Sequence, residues 1–457
     1  MPLSRRQLLA AAAAPALAQK KKAAARSPSI LLILCDDLAA WMLGCYGNQE
    51  IRTPNIDLLA RGGTRFAHHF VCTPICSASR ATLFTGRLPR QHGIHDFLTA
   101  QPVEKPPQGQ VAPPPSFKDE IMLSDLLARQ GYQCGYVGKW HMGEDASPQH
   151  GLDFWYTLLG ARAYRNPLMS WNGQKVEEQG YLADLITAKA LQFLDQQTPE
   201  KPFFLTVSHF NPHVPYEGHP QKYYDLYAGV NFETFGWEPA APHALREKGM
   251  LQDIVGNIRK CAAATTALDD QIPPLVKKLD QRGLRNSTLM VFTGDNGFLL
   301  GRHGLWSKGL ASDPINMYEE VVETPMIWNW RGKVPVEGVR PELVSFYDFV
   351  PTICDAAGIA APEGRRLCGR SYLALATGHP LPRKEPWRNL VFGEFRNTSM
   401  ARDARYKLVL RNQGQGPNEL YDLRDDPREK LNQYDNPGFI TVRDRLAQAL
   451  AEWRNKY

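Results

Sequence analysis

The chain has 457 residues, of which 43% are hydrophobic and 22% charged. That is ordinary for a globular protein with a large core, and it leaves room for one big domain and a smaller companion. The formal net charge of +6 is accounted for by Arg5, Arg6, Lys20, Lys21, Lys22 and Arg26, which no acid accompanies before position 27. The body is therefore neutral, which argues against nucleic acid as a partner, and no stretch approaches the roughly 20 apolar residues of a membrane span.

The N-terminus reads as an export signal. Ser4-Arg5-Arg6-Gln7-Leu8-Leu9 resembles a twin-arginine box, a short apolar run follows, and Ala16-Leu17-Ala18 is a small-x-small cleavage site. Residues 1–18 are expected to be a twin-arginine-type signal peptide and 19–27 a basic linker. The expected partner is the twin-arginine export machinery, and the expected location is periplasmic or secreted, in a bacterium.

Residues 29–35 form a continuous apolar run of strand length, as in a parallel sheet covered on both faces, and they end in Asp36-Asp37. Thr53-Pro54 opens a helix that Gly62-Gly63 closes. Residues 66–71 read as a strand leading to a loop, Thr73-Pro74, and then to Cys76 at the start of a helix. Arg80 follows four residues later, so one helical turn puts both side chains on one face, with Cys76 at the end where backbone N–H groups favour an anion.

Residues 101–116 are rich in proline and glutamine and read as a surface loop. A helix at 123–130 precedes a strand at 132–137, which empties into Gly138-Lys139-Trp140-His141. A helix at 182–195 precedes a strand at 202–208, which empties into His209-Phe210-Asn211-Pro212-His213. The prolines at 212 and 215 exclude a helix there, and with it a helical histidine pair. Residues 217–250 read as an irregular, substrate-facing insertion. The stretch 253–279 reads as helix interrupted near Pro273-Pro274, 287–293 as a strand followed by Gly294-Asp295-Asn296-Gly297, 325–330 as a strand and 343–358 as helix. From about 376 the pattern changes to short alternating strands (390–395, 404–411, 419–423) and a closing helix at 440–456.

The expected architecture is α/β. A large, mostly parallel sheet sandwiched by helices spans 28–375 as the catalytic domain, and a smaller antiparallel sheet plus helix spans 376–457. Four times an apolar strand ends and polar chemistry comes at once: Asp36-Asp37, Lys139 with His141, His209 with His213, and Asp295-Asn296. In a doubly wound sheet such ends converge in one crevice. Asp36, Asp37, Asp295 and Asn296 offer oxygen ligands, which suit calcium or magnesium and not zinc or copper. Arg80, Lys139 and Lys308 form a cationic set able to hold the oxygens of an anionic ester, the arginine through its fork and the lysines as point charges. His141 and His213 are the proton-transfer candidates. Of the eight cysteines only Cys354 and Cys368 suggest a pair, and no second cysteine/histidine pair accompanies Cys72 and Cys76 at zinc spacing.

Cys76-Ser-Ala-Ser-Arg80, with Leu83-Phe-Thr-Gly-Arg87, Pro89 and His92-Gly93 behind it, resembles the signature of the type I sulfatases of the alkaline-phosphatase-like superfamily. In that family the cysteine is oxidised to formylglycine, whose hydrated aldehyde is the nucleophile. Ala78 stands where most members have proline, which implies the radical-type maturation enzyme, acting in the cytoplasm before folded export. Leu34-Cys-Asp-Asp37 and Thr293-Gly-Asp-Asn-Gly297 look like the family's two metal motifs, which implies one Ca2+ (Mg2+ being the alternative) held by Asp36, Asp37, Asp295, Asn296 and the modified Cys76. Lys308, in Gly304-Leu-Trp-Ser-Lys-Gly309, resembles the lysine that touches both the sulfate and the bridging oxygen. The resemblance also implies that His213 binds sulfate and helps the leaving group, and that His141 assists breakdown of the covalent intermediate.

The activity so implied is sulfuric ester hydrolysis. Met317-Tyr-Glu-Glu320 resembles the carbohydrate-active members, so the expected substrate is a sulfated carbohydrate. Trp171, Tyr216 and Trp306 are candidate stacking residues for sugars, and His303 a candidate substrate contact. Two rivals are a phosphonate or phosphate monoester hydrolase on the same scaffold, and a carbohydrate-binding protein that kept the pocket.

Overall fold

A computed structural model describes residues 27–98, 115–160, 163–381, 385–411 and 416–457. The signal peptide, all of the basic linker except Ser27, and most of the loop expected at 101–116 lie outside the described residues. No described helix is long and apolar enough to cross a membrane.

The main sheet has ten strands: β1 (Ser29–Cys35), β2 (Thr64–Phe70), β3 (Gln133–Gly138), β4 (Phe154–Leu158), β5 (Leu168–Trp171), β6 (Gln174–Glu177), β7 (Phe203–His209), β8 (Thr288–Gly294), β9 (Met326–Asn329) and β10 (Gly338–Ser345). Their order is β10-β2-β9-β8-β1-β7-β3-β4-β5-β6. The run β8-β1-β7-β3-β4 is parallel throughout. β9 runs against both neighbours, and so does β5.

The periodicity of β1 shows why the sheet sits at the centre. Ile30, Leu32 and Leu34 join one buried cluster, and Leu31, Ile33 and Cys35 join another on the opposite face. A strand with both faces covered has no need to alternate. Helices Pro54–Arg61, Leu182–Asp195, Ile254–Asp269 and Ile272–Gln281 supply the second cluster, while Cys76–Thr85, Leu123–Arg129 and Phe349–Ala357 supply the first.

The second sheet is antiparallel: β11 (Val391–Phe395), β12 (Thr398–Arg402), β13 (Tyr406–Arg411) and β14 (Glu419–Asp422), with helix Ile440–Lys456 packed on it through Leu446, Leu450 and Trp453. Both sheets agree with the expected fold class.

Several expected elements differ. Residues 343–345 are not helix but the end of β10, which pairs with β2 at the sheet edge, and the helix proper is Phe349–Ala357. The break in the long helix falls at 270–271, because Pro273 and Pro274 sit in the first turn of Ile272–Gln281, where proline is tolerated. β4, β5, β6 and β12 have no counterpart among the expected elements. The first three form the far edge of the main sheet, and β12 is a central strand of the second sheet, buried throughout.

Candidate active site

Parallel strands point their C-terminal ends the same way, so the segments leaving β8, β1, β7 and β3 arrive in one place. Asp36-Asp37 leave β1, Lys139 leaves β3, His213 comes after β7 and Asp295-Asn296 leave β8. Cys76 comes in from β2 through Val71–Ile75 and opens helix Cys76–Thr85 after an extended Ile75. Two backbone positions make the approach possible. Gly138 has φ +108°, and a Cβ there would meet the Ser208 carbonyl oxygen at 1.8 Å, so only glycine brings Lys139 off β3 this close to β7. At Gly294 a Cβ would meet the Leu38 carbonyl oxygen at 2.2 Å.

The Cys76 sulfur lies 3.3 Å from Asp36 Oδ1, 3.8 Å from Asp37 Oδ1 and 2.7 Å from Lys308 Nζ. Lys308 Nζ also bonds Asp37, and Lys139 Nζ bonds Asp36. Arg80, wholly buried, donates from Nε to Asp295 Oδ2 (2.7 Å) and from Nη1 to the Lys139 carbonyl (2.7 Å) and Ser208 Oγ (2.8 Å). Its Nη2 makes no hydrogen bond among the described residues and stands 3.9 Å from Asp36 Oδ1. Asp295 Oδ1 accepts the Asp37 amide at 3.1 Å, and Asn296 Nδ2 donates to Asp37 Oδ1 at 2.8 Å. Three buried carboxylates thus face three buried cations, each acid with its own partner.

Burial alone would raise the carboxyls, yet Lys139 above all, with His213, Arg80 and Lys308, holds Asp36 well below the usual carboxylate range. Lys308 and then His213 likewise hold Asp37 down against its burial. Burial would lower Lys308, but Asp37 above all overcomes it, so the ammonium keeps its proton. The Cys76 sulfur behaves oppositely. Burial, reinforced by Asp295 and Asp36, pushes the thiol up, so an unmodified cysteine rests here as a neutral thiol.

His213 Nδ1 contacts the Val214 carbonyl, which leaves Nε2 3.6 Å from Asp37 Oδ2. Its ring stacks on Phe210, and burial pulls its pKa down to about 3. His141 is held another way: Nε2 meets the Leu98 carbonyl at 3.1 Å, the ring lies edge-on to Phe97, and the backbone adopts φ 61°.

The ligand atoms of Asp36, Asp37, Cys76 and His213 all lie within 4.8 Å of one another, a buried cluster able to hold a metal ion. The donor chemistry fits a hard cation. Asn296 Oδ1 is buried and accepts no hydrogen bond among the described residues, although its amide group is fixed by Nδ2 donating to Asp37 and to the Gly297 carbonyl. A buried oxygen without a donor is costly unless something electropositive meets it.

A family model described as Sulfatase matches residues 28–359, and one described as N-sulphoglucosamine sulphohydrolase, C-terminal, matches residues 301–456. The chain belongs to the sulfatase family. As a sulfatase it is an enzyme that hydrolyses sulfate esters. It is 28% identical to the uncharacterized sulfatase YidJ of Escherichia coli, over 94% of this chain and 87% of the relative. It is 24% identical to an N-acetylglucosamine-6-O-sulfatase of Bacteroides thetaiotaomicron, with the same coverage of each. The solved structure of BT4656 in complex with its substrate D-glucosamine-2-N,6-O-disulfate shares the fold at a TM-score of 0.80 and 23% identity, over 94% of this sulfatase and 98% of that chain.

Some site features were not legible in the sequence of this sulfatase. Ser208 and Tyr136 OH (3.4 Å) hold Arg80, Ser79 bonds the Asp295 carbonyl, and Asn316 Nδ2 fixes Lys308 through its carbonyl at 3.1 Å. Ser208 offers no signal of its own beyond standing near the end of a strand that also carries Thr206 and His209.

Two of the three aromatic candidates, Trp306 and Tyr216, are too deeply buried to be sugar platforms. Trp306 and Tyr216 are 0% and 1% exposed and pack on each other, and Trp171 lies on β5, against Phe154 and Lys189. His303 stacks on Tyr318 at 3.7 Å and bonds Glu320 at 3.2 Å. All eight cysteines are free thiols. Cys354 belongs to the main core, and Cys368 packs against a separate cluster at the second sheet.

Proposed function

We propose that this sulfatase removes sulfate from a sulfated carbohydrate, with Cys76 matured to formylglycine and one divalent ion, calcium, held by Asp36, Asp37, Asp295, Asn296 and residue 76. The observation that carries the reading is the position of side chain 76, between the Asp36 carboxylate at 3.3 Å and the Lys308 ammonium at 2.7 Å. A nucleophile needs a cation to activate its oxygen and a positive wall to receive the anion it attacks; the Asp36 carboxylate would hold the first and Lys308 supplies the second. When bound, the ion and the oxidised side chain supply an activated hydroxyl and a Lewis acid for the sulfuryl oxygens.

The rest falls to the chain's own groups. Arg80 is immobilised at Nε and Nη1, which leaves Nη2 as a preorganised donor to a sulfuryl oxygen. Lys139 and Lys308 add point charges from either side. Lys308 keeps its proton and is the donor to the departing alcohol oxygen. His213, whose Nε2 lies 3.6 Å from Asp37 Oδ2, presents that nitrogen toward the same oxygens. His141, two residues beyond Lys139, takes the proton that lets sulfate leave and the aldehyde return. A thiol has no second hydroxyl with which to expel sulfate, so maturation is required for turnover.

The carbohydrate assignment is supported by the N-acetylglucosamine-6-O-sulfatase relative and by the C-terminal family model. Ala78 favours a radical-type maturation enzyme, acting before export through the twin-arginine machinery to the periplasm or beyond. The test is a panel of defined sulfated oligosaccharides beside an aryl sulfate and an aryl phosphonate, using protein co-expressed with a maturation enzyme. Sulfate release from a glycan with at most trace phosphonate cleavage is expected. Equal phosphonate turnover, or glycan binding without release by matured protein, would sink the reading.

A further inference from the structure

At the opposite end of β8 from Asp295, a cavity of about 580 Å³ opens between helices Pro54–Arg61 and Ile272–Gln281. Its walls are apolar: Leu58, 60% exposed, and Val276 face it from the two helices. Its polar end is unusual. Arg285 lines it and is only 5% exposed. One guanidinium nitrogen, Nη2, bonds Asn329 Oδ1, while Nε and Nη1 make no hydrogen bond among the described residues. Leaving two buried donors of a cation unanswered is expensive, and an anionic acceptor is what removes that cost.

The charge around the cavity points the same way. Arg331 and Lys277 also line it, against the single carboxylate of Asp280, which Arg331 already engages at 2.9 Å. Burial, with Arg331 beside it, pulls Arg285 down to about 10, still protonated at neutral pH but short of a counter-charge. A concave site of a few hundred Å³ with apolar walls and one convergent set of polar groups has the form of a small-molecule site.

We propose that this cavity binds a small amphipathic monoanion, a medium-chain carboxylate, with its headgroup at Arg285 and its tail along Leu58 and Val276. The carboxylate takes the two unpaired donors of Arg285, whose side chain must turn toward the cavity because both nitrogens are now covered, with Arg331 and Lys277 flanking it. The methylene chain covers apolar surface that water now wets. The site is independent of the chemistry at Cys76 and would stand if the substrate assignment failed.

The test uses the full chain and octanoate in titration calorimetry, with octylammonium and inorganic phosphate as comparison probes. Saturable octanoate binding is expected, with octylammonium inert and phosphate weaker by about tenfold or more for want of a tail. Leu58→Glu puts a carboxylate on an exposed wall and should weaken octanoate by about tenfold or more. Arg285→Gln should do the same, and if that variant misfolds, Leu58→Glu still decides. Aryl sulfate hydrolysis should be indifferent to octanoate. The proposal is overturned by any of four results: no saturable octanoate binding, equal binding of octylammonium, unchanged affinity in Leu58→Glu, or competitive inhibition of hydrolysis, which would place octanoate at Arg80.

Discussion

The ammonium of Lys308 stands 2.7 Å from the sulfur of Cys76 while it also grips Asp37. These residues are far apart in the chain, yet the contact joins the proposed nucleophile position to the proposed proton donor. On the proposed mechanism, Lys308→Ala removes a charge that acts on the transferring group and on the departing oxygen. Removing one such stabilising donor typically costs about 10²–10³ in kcat. We expect that loss in steady-state hydrolysis of a sulfate ester, with KM changed far less. A variant with kcat within about threefold of the parent would remove Lys308 from the mechanism.

Activity should track the chemical state of residue 76. The thiol is pushed up by burial and by Asp295 and Asp36, so it offers no thiolate at neutral pH. Protein made without a maturation enzyme should be nearly inactive, and Cys76→Ala fully so. Mass spectrometry of the peptide spanning residue 76, set against specific activity across preparations, should give a proportional line. Full turnover by a pure thiol form would refute the requirement for maturation.

Arg80 is a structural charge as well as the proposed binding one. Arg80→Met would leave Asp295 buried without its 2.7 Å partner. Breaking a buried pair from one side costs about 3–5 kcal/mol. Urea unfolding should show that loss together with abolished activity. Ser208→Ala removes one bond to Nη1 and should cost about 1 kcal/mol, with a partial fall in kcat, because the guanidinium is then less firmly aimed. Equal stability of Arg80→Met and parent would mean that solvent reaches Asp295.

Chelation should destabilise the fold as well as stop the reaction. Asp36, Asp37 and Asp295 are 0%, 3% and 0% exposed, and Asn296 Oδ1 is unanswered among the described residues. A ligand present at about 100 times its Kd stabilises by about 2.7 kcal/mol. Treatment with a chelator should therefore lower Tm, and calcium should restore it. A Tm indifferent to both would argue against a bound ion at these residues.

Acid should unfold the protein through buried histidines outside the metal-ligand cluster. His92 is buried, its Nδ1 accepts the Ile94 amide at 3.1 Å and its Nε2 meets Thr82 at 3.2 Å, so it is held neutral. His69 is buried against Thr324. Burial pulls both down to about 3. The unfolded chain takes protons near pH 6.5 that the native state refuses until about pH 3, so stability is lost as pH falls through that window. Each histidine should cost about 2 kcal/mol between pH 7 and pH 5. Unfolding midpoints of the parent and of His92→Gln over that range should show a shallower slope in the variant. Identical slopes would mean that His92 is already protonated in the native state.

The sequence alone was enough to place most of the candidate site. Ser29–Cys35 is apolar at every position after its first because both faces of β1 are covered, and that one pattern announces a central strand of a parallel sheet with polar residues at its exit. Arg80 comes one helical turn after Cys76, a local rule that the helix obeys. What local rules do not carry is pairing between distant segments. Nothing in the spacing says that Lys139 answers Asp36, Lys308 answers Asp37 and Arg80 answers Asp295, or that Ser208 aims the arginine. Trp306 and Tyr216 are candidate sugar-stacking residues by type, and the fold buries them, because exposure belongs to the packing of layers. Residues 343–345 became strand because an edge position on β2 was open to them. Periodicity and spacing report what a segment does to itself, whereas the partners of a buried charge are chosen only when segments hundreds of residues apart meet in one low-dielectric space.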